Sequence, residues 1–200
     1  MKAIAATNNR HKLEEISAIM SKLNIEVLSL KDIDLDIDVE ETGDTFEENA
    51  LLKARAVAEI TKGFVIADDS GLEVEALGNR PGVSSARYSG YTGEVKDAKN
   101  REKLLFEMQN IPFDKRNARF RTVIAAVLPD GREILAEGFV YGRIGFEEKG
   151  TNGFGYDSLF IVDSYGKTMA ELPAEIKNSI SHRANALKEF VTKYKEMMGK

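Results

Sequence analysis

Asp68 and Asp69 stand side by side behind the apolar run Phe64–Ala67 and ahead of Ser70-Gly71. Two acidic side chains leaving a buried strand for a glycine-containing turn cost desolvation unless a cation or a hydrogen-bond network holds them. That pattern suits metal chemistry at a strand end, and it also suits an N-cap aspartate in a turn. Gly71, Gly78, Gly82 and Gly90, with Pro81, keep the next segment tight, while Arg80 and Arg87 add positive charge. The chain has no cysteine, so thiolate nucleophiles, disulfides and cysteine zinc sites are excluded, and a metal must use oxygen ligands.

Four further clusters place polar groups where a ligand can meet them. In Ala6-Thr7-Asn8-Asn9-Arg10-His11-Lys12, a strand runs through a polar loop into a helix, which aims backbone N–H groups and the positive dipole end at the loop and favours phosphate. Asn9 can equally act as a plain helix cap. Glu40 and Glu41 precede a Thr-Gly turn, with Lys53 and Arg55 on the helix beyond. Such a run is either a solvated acidic loop or the source of one carboxylate that completes a magnesium site with Asp69, because magnesium takes one or two carboxylates plus water and phosphate oxygens. Lys53 is then a phosphate ligand.

Glycines 150, 153 and 155 flank Phe154 and Tyr156, a loop that presents aromatic faces to a planar base or plugs a local gap. Asp157 accepts from a base edge or fixes its own loop. Ser181, His182 and Arg183 open the last helix, where cations oppose the helix dipole, so Arg183 has either a ligand or a carboxylate partner; Lys177 lies just upstream.

The elements that position these groups alternate between strand and helix periods. Lys2–Ala6 reads as a buried strand, followed by helical spacing of Leu13, Ile16, Met20 and Leu23. Thr45 and Glu48 form a capping-box pattern ahead of a helix with Phe46, Leu51, Ala54, Val57 and Ala58 on its apolar side. Phe64–Ala67 is a central strand and Asp97–Gln109 a helix. Ala118–Leu128 and Glu133–Ile144 are strands joined by a turn at Pro129-Asp130-Gly131, and Ser158–Val162 is another strand. The final helix is capped by Ser181 and carries Ala184, Leu187, Val191, Tyr194 and Met198 inward. The expected class is α/β with a mixed sheet.

Two hundred residues with 42% apolar content suffice for one large domain or two closely joined lobes. A net charge of -5 argues against a protein that coats nucleic acid. No stretch approaches the ~20 apolar residues of a membrane span, and Met1–Asn9 lacks the regions of a signal peptide, so a cytoplasmic location without membrane partners is expected.

Taken together, five blocks resemble the inosine triphosphate pyrophosphatase, or Ham1-like, family. They are Thr7-Asn8-Asn9 with Lys12, residues 40–54, residues 67–90, residues 153–160 and residues 181–187. Relatives often have glycine in place of Asn8 and Ala184. The resemblance implies a single two-lobed domain over 1–200, with an elongated central mixed β-sheet flanked by helices and a nucleotide cleft between lobes. It also implies magnesium dependence, a homodimer, and conversion of ITP, dITP or XTP to the monophosphate and pyrophosphate, which cleanses the nucleotide pool. Carried over by position, Thr7, Asn8, Asn9, Lys12 and Lys53 hold the triphosphate. Glu40 and Asp69 bind Mg2+, Asp69 also accepts the proton, and Asp68 supports the site. Ser70 touches substrate, and Phe154, Gly155, Tyr156, Asp157, Lys177, His182 and Arg183 form the nucleoside end.

This assignment fits the chemistry, since anionic nucleophile and leaving group must be neutralised and the water oriented. Donors such as Arg183, His182 or backbone N–H groups accept a 6-keto purine and are left unpaired by adenine. Two other classes compete: a haloacid-dehalogenase-like phosphatase, which needs Asp-x-Asp where this chain has Asp68-Asp69, and a nucleotide sensor without turnover. No P-loop pattern is present.

Overall fold

The strand that carries Asp68 and Asp69 does not stop at them. In the computed structural model, which describes residues 1–199, it runs from Val65 to Val74 straight through Ser70-Gly71, where the sequence pattern suggests a turn. The extension is stabilised by pairing: Glu73 and Val74 match Pro81 and Arg80 of a short antiparallel strand, so the backbone beyond Gly71 has partners and no reason to turn.

In chain order the strands are β1 (Lys2–Ala5), β2 (Glu26–Leu28), β3 (Val65–Val74), β4 (Arg80–Pro81), β5 (Asn117–Val127), β6 (Glu133–Ile144), β7 (Phe160–Val162) and β8 (Lys167–Thr168). The helices are α1 (Arg10–Met20), α2 (Phe46–Thr61), α3 (Lys96–Glu107), α4 (Ala174–Ile180) and α5 (His182–Met197). Among the described residues the sheet order is β2-β1-β3-β5-β6-β7-β8, with β4 on β3. It is mixed: β1 lies parallel to β2 and β3, whereas β7 is antiparallel to β6 and β8. The β5–β6 turn closes with Gly131 N–H on the Leu128 carbonyl, and Gly131 at φ +87° uses a conformation open to glycine.

The chain divides into two compact units. Unit 1 comprises residues 1–69, 122–138 and 182–199; unit 2 comprises 70–121 and 139–181. Each has its own core. In unit 1, Ile16 and Met20 of α1, Ile66 of β3, Ile124 of β5 and Leu187 and Phe190 of α5 pack together, with Phe64 stacked on Tyr194 at 5.7 Å. In unit 2, Leu72, Leu104, Met108, Phe120, Phe160 and Met169 form the centre. β5 records the change along its length: residues alternate in burial up to Thr122 and are buried on both faces afterwards.

Several short elements escape sequence reading, including β2, β8 and α4. Met198, expected on the inner face of the last helix, lies beyond its end and is exposed. No helix among the described residues is long and apolar enough to cross a membrane.

Candidate functional site

Adjacent residues in a strand point to opposite faces, and β3 uses that alternation to give its two aspartates different partners. Asp68 Oδ2 receives Lys12 Nζ at 3.2 Å and Arg183 Nε at 3.1 Å. Asp69 Oδ1 lies 3.5 Å from Lys53 Nζ, which donates to Glu41 Oε1 at 2.6 Å. Arg183 Nη1 donates to Glu15 Oε2 at 2.7 Å. All these groups belong to unit 1.

Local structure explains each placement. Lys12 stands in the first turn of α1, whose N-cap Asn9 accepts from the N–H groups of His11 and Lys12 at 3.0 and 3.3 Å. Asn9 is thus a helix cap, and Thr7 Oγ1 in turn accepts from Asn9 N–H at 3.1 Å. Asn8 is exposed and donates to the Ile37 carbonyl. Lys53 is held by α2, whose Thr45–Glu48 capping box forms as expected. Asn49 of the same helix is fully buried and exchanges two hydrogen bonds with Gly43, at 2.8 and 3.3 Å, which pins the loop that carries Glu41. Arg183 reaches β3 because α5 begins hard against the sheet: a Cβ on Gly138 of β6 would fall 2.1 Å from Ala186 N and 2.3 Å from the His182 carbonyl.

The electrostatics separate the two aspartates. Burial alone would raise the Asp68 carboxyl, but the charges of Lys12, Arg183 and Lys53 outweigh it and hold the group well below the ordinary 3.8. Asp69 moves the other way. Burial raises it, and the charges of Glu41 and Asp68 add to the rise against the pull of Lys53 and Lys12. Lys12 is lowered by burial, with Arg183 and Lys53 adding to the fall, whereas Lys53 is raised because Asp69, Asp68 and Glu41 together exceed its burial. The two neighbouring carboxyls are thus pushed in opposite directions by their different partners.

Glu40, the expected metal ligand, is exposed; the carboxylate brought to Lys53 is that of Glu41. Among the described residues no three acidic or histidine side chains gather as a ready cage. The donor set nonetheless suits magnesium, which needs only one or two protein carboxylates, and the ammonium of Lys53 beside Glu41 and Asp69 marks a place where cationic charge is already accommodated. Arg183 is 2% exposed, and its guanidinium is committed to Asp68 and Glu15. Glu15 carries no local signal in the sequence and becomes relevant only through its tertiary approach to Arg183, while Glu41 stands out only together with Glu40.

Unit 2 holds the second group. Asp157 Oδ2 accepts from Lys177 Nζ at 2.7 Å and from Phe154 N–H at 3.1 Å, and Lys177 Nζ stands 5.2 Å from the Phe154 ring centroid. Gly153 is required here: at φ +82° it packs so closely that a Cβ would lie 2.1 Å from Asp157 Oδ2. Phe154 is half-buried, but Tyr156, expected to share the aromatic face, is buried in the core and donates its hydroxyl to the Ser85 carbonyl at 2.8 Å. Its ring packs in the unit 2 core and so anchors the loop. Ser70 sits in β3 and is half-buried; His182 is buried at the start of α5.

Residues 3–193 match the model of the Ham1 family. The chain is 50% identical over 187 residues to the dITP/XTP pyrophosphatase of Thermoanaerobacter sp. (strain X514), covering 94% of this chain and 93% of the relative. It is 49% identical over 199 residues to the dITP/XTP pyrophosphatase of Listeria monocytogenes serotype 4b (strain F2365), covering 100% and 97%. Among solved structures it is similar to the Staphylococcus aureus Ham1 protein, with a TM-score of 0.86 and 43% identity over 99% of this chain and 100% of that one. It is also similar to a HAM1 protein from Coxiella burnetii, with a TM-score of 0.88 and 38% identity over 98% and 99%.

Proposed function

The chain belongs to the Ham1 family, and on that premise we propose that it is a dITP/XTP pyrophosphatase that hydrolyses ITP, dITP and XTP to the monophosphate and pyrophosphate. The observation that carries this reading is the pair of aspartates on β3 with separate cationic partners, Lys12 at 3.2 Å from Asp68 and Lys53 at 3.5 Å from Asp69.

Asp69, ionised and more basic than an ordinary carboxylate because of its burial, accepts the proton from the attacking water. Asp68 keeps its charge and holds Lys12 and Arg183 in register. Lys12 and Lys53 neutralise the triphosphate, with Thr7, Asn8 and Asn9 supplying hydrogen bonds at its far oxygens, and Ser70 adds a further contact. Glu40 and Asp69 would hold Mg2+, which when bound screens phosphate charge and assists departure of pyrophosphate. When triphosphate arrives, its oxygens replace Glu41 as partners of Lys53, freeing that carboxylate. Positioning and charge account for the reaction, and the residues form no covalent bond to substrate.

The base stacks on Phe154, with Asp157, Lys177, His182, Arg183 and the N–H groups of the 153–157 loop as its polar contacts. Those donors match a 6-keto oxygen and are left unpaired by a 6-amino group. The same reading includes a homodimer acting on a cytoplasmic nucleotide pool, without nucleic-acid or membrane partners.

The test is incubation of the protein with magnesium and ITP, dITP or XTP, followed by identification of products. Monophosphate with pyrophosphate supports the proposal. Release of orthophosphate would instead indicate a phosphatase, and binding without turnover a sensor.

A further inference from the structure

Asp97 and Arg101 lie four residues apart on α3, on one face of the helix, and both reach the same glycine. Asp97 Oδ2 accepts from the Gly155 N–H at 3.1 Å, and Arg101 Nη1 donates to the Gly155 carbonyl at 2.9 Å. Gly155 has φ +59°, a left-handed conformation, and one turn of helix engages both of its backbone polar groups. Arg101 is further tied to Glu148 at 2.8 Å, and Glu148 accepts from Ser158 Oγ at 2.8 Å. Between these clamped points lie Tyr156, whose hydroxyl is fixed on Ser85, and Asp157, fixed on Lys177. The Ser85 carbonyl also accepts from Asn100, the α3 residue between Asp97 and Arg101. All of these residues belong to unit 2.

We propose that Asp97 and Arg101 are positioning residues that hold the 153–158 loop in the conformation that receives the purine base, and so set affinity for the base without touching phosphate or the reacting water. This inference rests on the assignment of Phe154 and Asp157 to the base. The physical reason is pre-organisation: a loop that must order itself on binding loses affinity by the entropy of that ordering, whereas a clamped one does not. Asp97 suits the place twice over, because a carboxylate in the first turn of α3 also complements the helix dipole.

The experiment compares ITP hydrolysis by wild type, Asp97→Ala, Asp97→Asn and Arg101→Met, each with inorganic tripolyphosphate as a competing ligand that has no base. Asp97→Ala and Arg101→Met are expected to raise KM for ITP about tenfold, the scale of one lost hydrogen bond to a charged partner. kcat should stay within about threefold, because the reacting groups are elsewhere. Asp97→Asn should restore KM, since its amide oxygen can still accept the Gly155 N–H. Inhibition by tripolyphosphate should be the same in all four proteins.

An unchanged KM in Asp97→Ala overturns the inference, and so does a parallel loss of tripolyphosphate binding, which is what a merely structural role produces. If Arg101→Met does not fold, the Asp97 pair carries the test alone. Phe154→Ala tells the two levels of failure apart: if it leaves KM for ITP unchanged, the base assignment itself falls, and if it raises KM while Asp97→Ala does not, only the clamp falls.

Discussion

Arg183 Nε lies 3.1 Å from Asp68 Oδ2, although the two residues are 115 positions apart in the chain. The pair is buried, with Glu15 on the second face of the guanidinium and Lys12 on the same carboxylate oxygen. Its members support each other, and removal of the guanidinium strips Glu15 of its partner and leaves Asp68 with Lys12 alone at Oδ2.

Arg183→Met is therefore expected to lower folding stability by about 3 kcal/mol, the usual cost of breaking a buried pair from one side. Urea unfolding followed by circular dichroism checks this; an unchanged midpoint would mean that the guanidinium is not the partner that keeps Asp68 and Glu15 buried.

The metal assignment separates two neighbouring residues. Glu40→Gln should reduce ITP turnover about a hundredfold, as expected for loss of one well-placed charge at the reacting centre, while Glu41→Gln, which leaves Lys53 paired with Asp69, should cost less. Equal losses, or the reverse order, would move the metal to Glu41.

Carbon-13 titration of the metal-free protein gives a direct view of the two aspartates. A raised carboxyl takes up its proton first as pH falls, so Asp69 should titrate above 3.8 while Asp68, held down by Lys12 and Arg183, stays ionised below that value. Stability linked to Asp68 is then present above 3.8 and is lost only as pH drops through its lowered folded value. Identical titration of both would remove the basis for giving them different roles.

Gly138→Ala should displace the start of α5, because its Cβ meets backbone atoms of Ala186 and His182 that cannot yield by rotation. Overpacking of this kind costs about 1–3 kcal/mol, and it should also depress turnover by moving Arg183 off Asp68. A thermal melt at the wild-type temperature with normal turnover would show that the contact is easily relaxed.

What was legible in the sequence is what depends on near neighbours. The Thr45–Glu48 capping box, the Pro129–Gly131 turn and the α2 apolar stripe rest on contacts within a few residues, and each appears in the structure. Gly71 misleads because a glycine after polar residues reads as a turn, yet the strand partners Pro81 and Arg80 decide its conformation from ten residues away. Tyr156 misleads for a similar reason: its ring type suits stacking, and only the unit 2 core determines that it points inward. Glu15 and Glu41 were not separable from their acidic neighbours until folding brought Arg183 and Lys53 to them. The position of Asp68 and Asp69 was legible, but their division between two sets of partners follows from the strand running on.

The central claim is that Asp69 takes the proton from the water that cleaves the triphosphate. The most direct measurement is single-turnover hydrolysis of ITP by Asp69→Asn, shown folded by circular dichroism, alongside nucleotide binding by the same protein. The account predicts loss of turnover by about a thousandfold or more with nucleotide binding still measurable; turnover near the wild-type rate would contradict it.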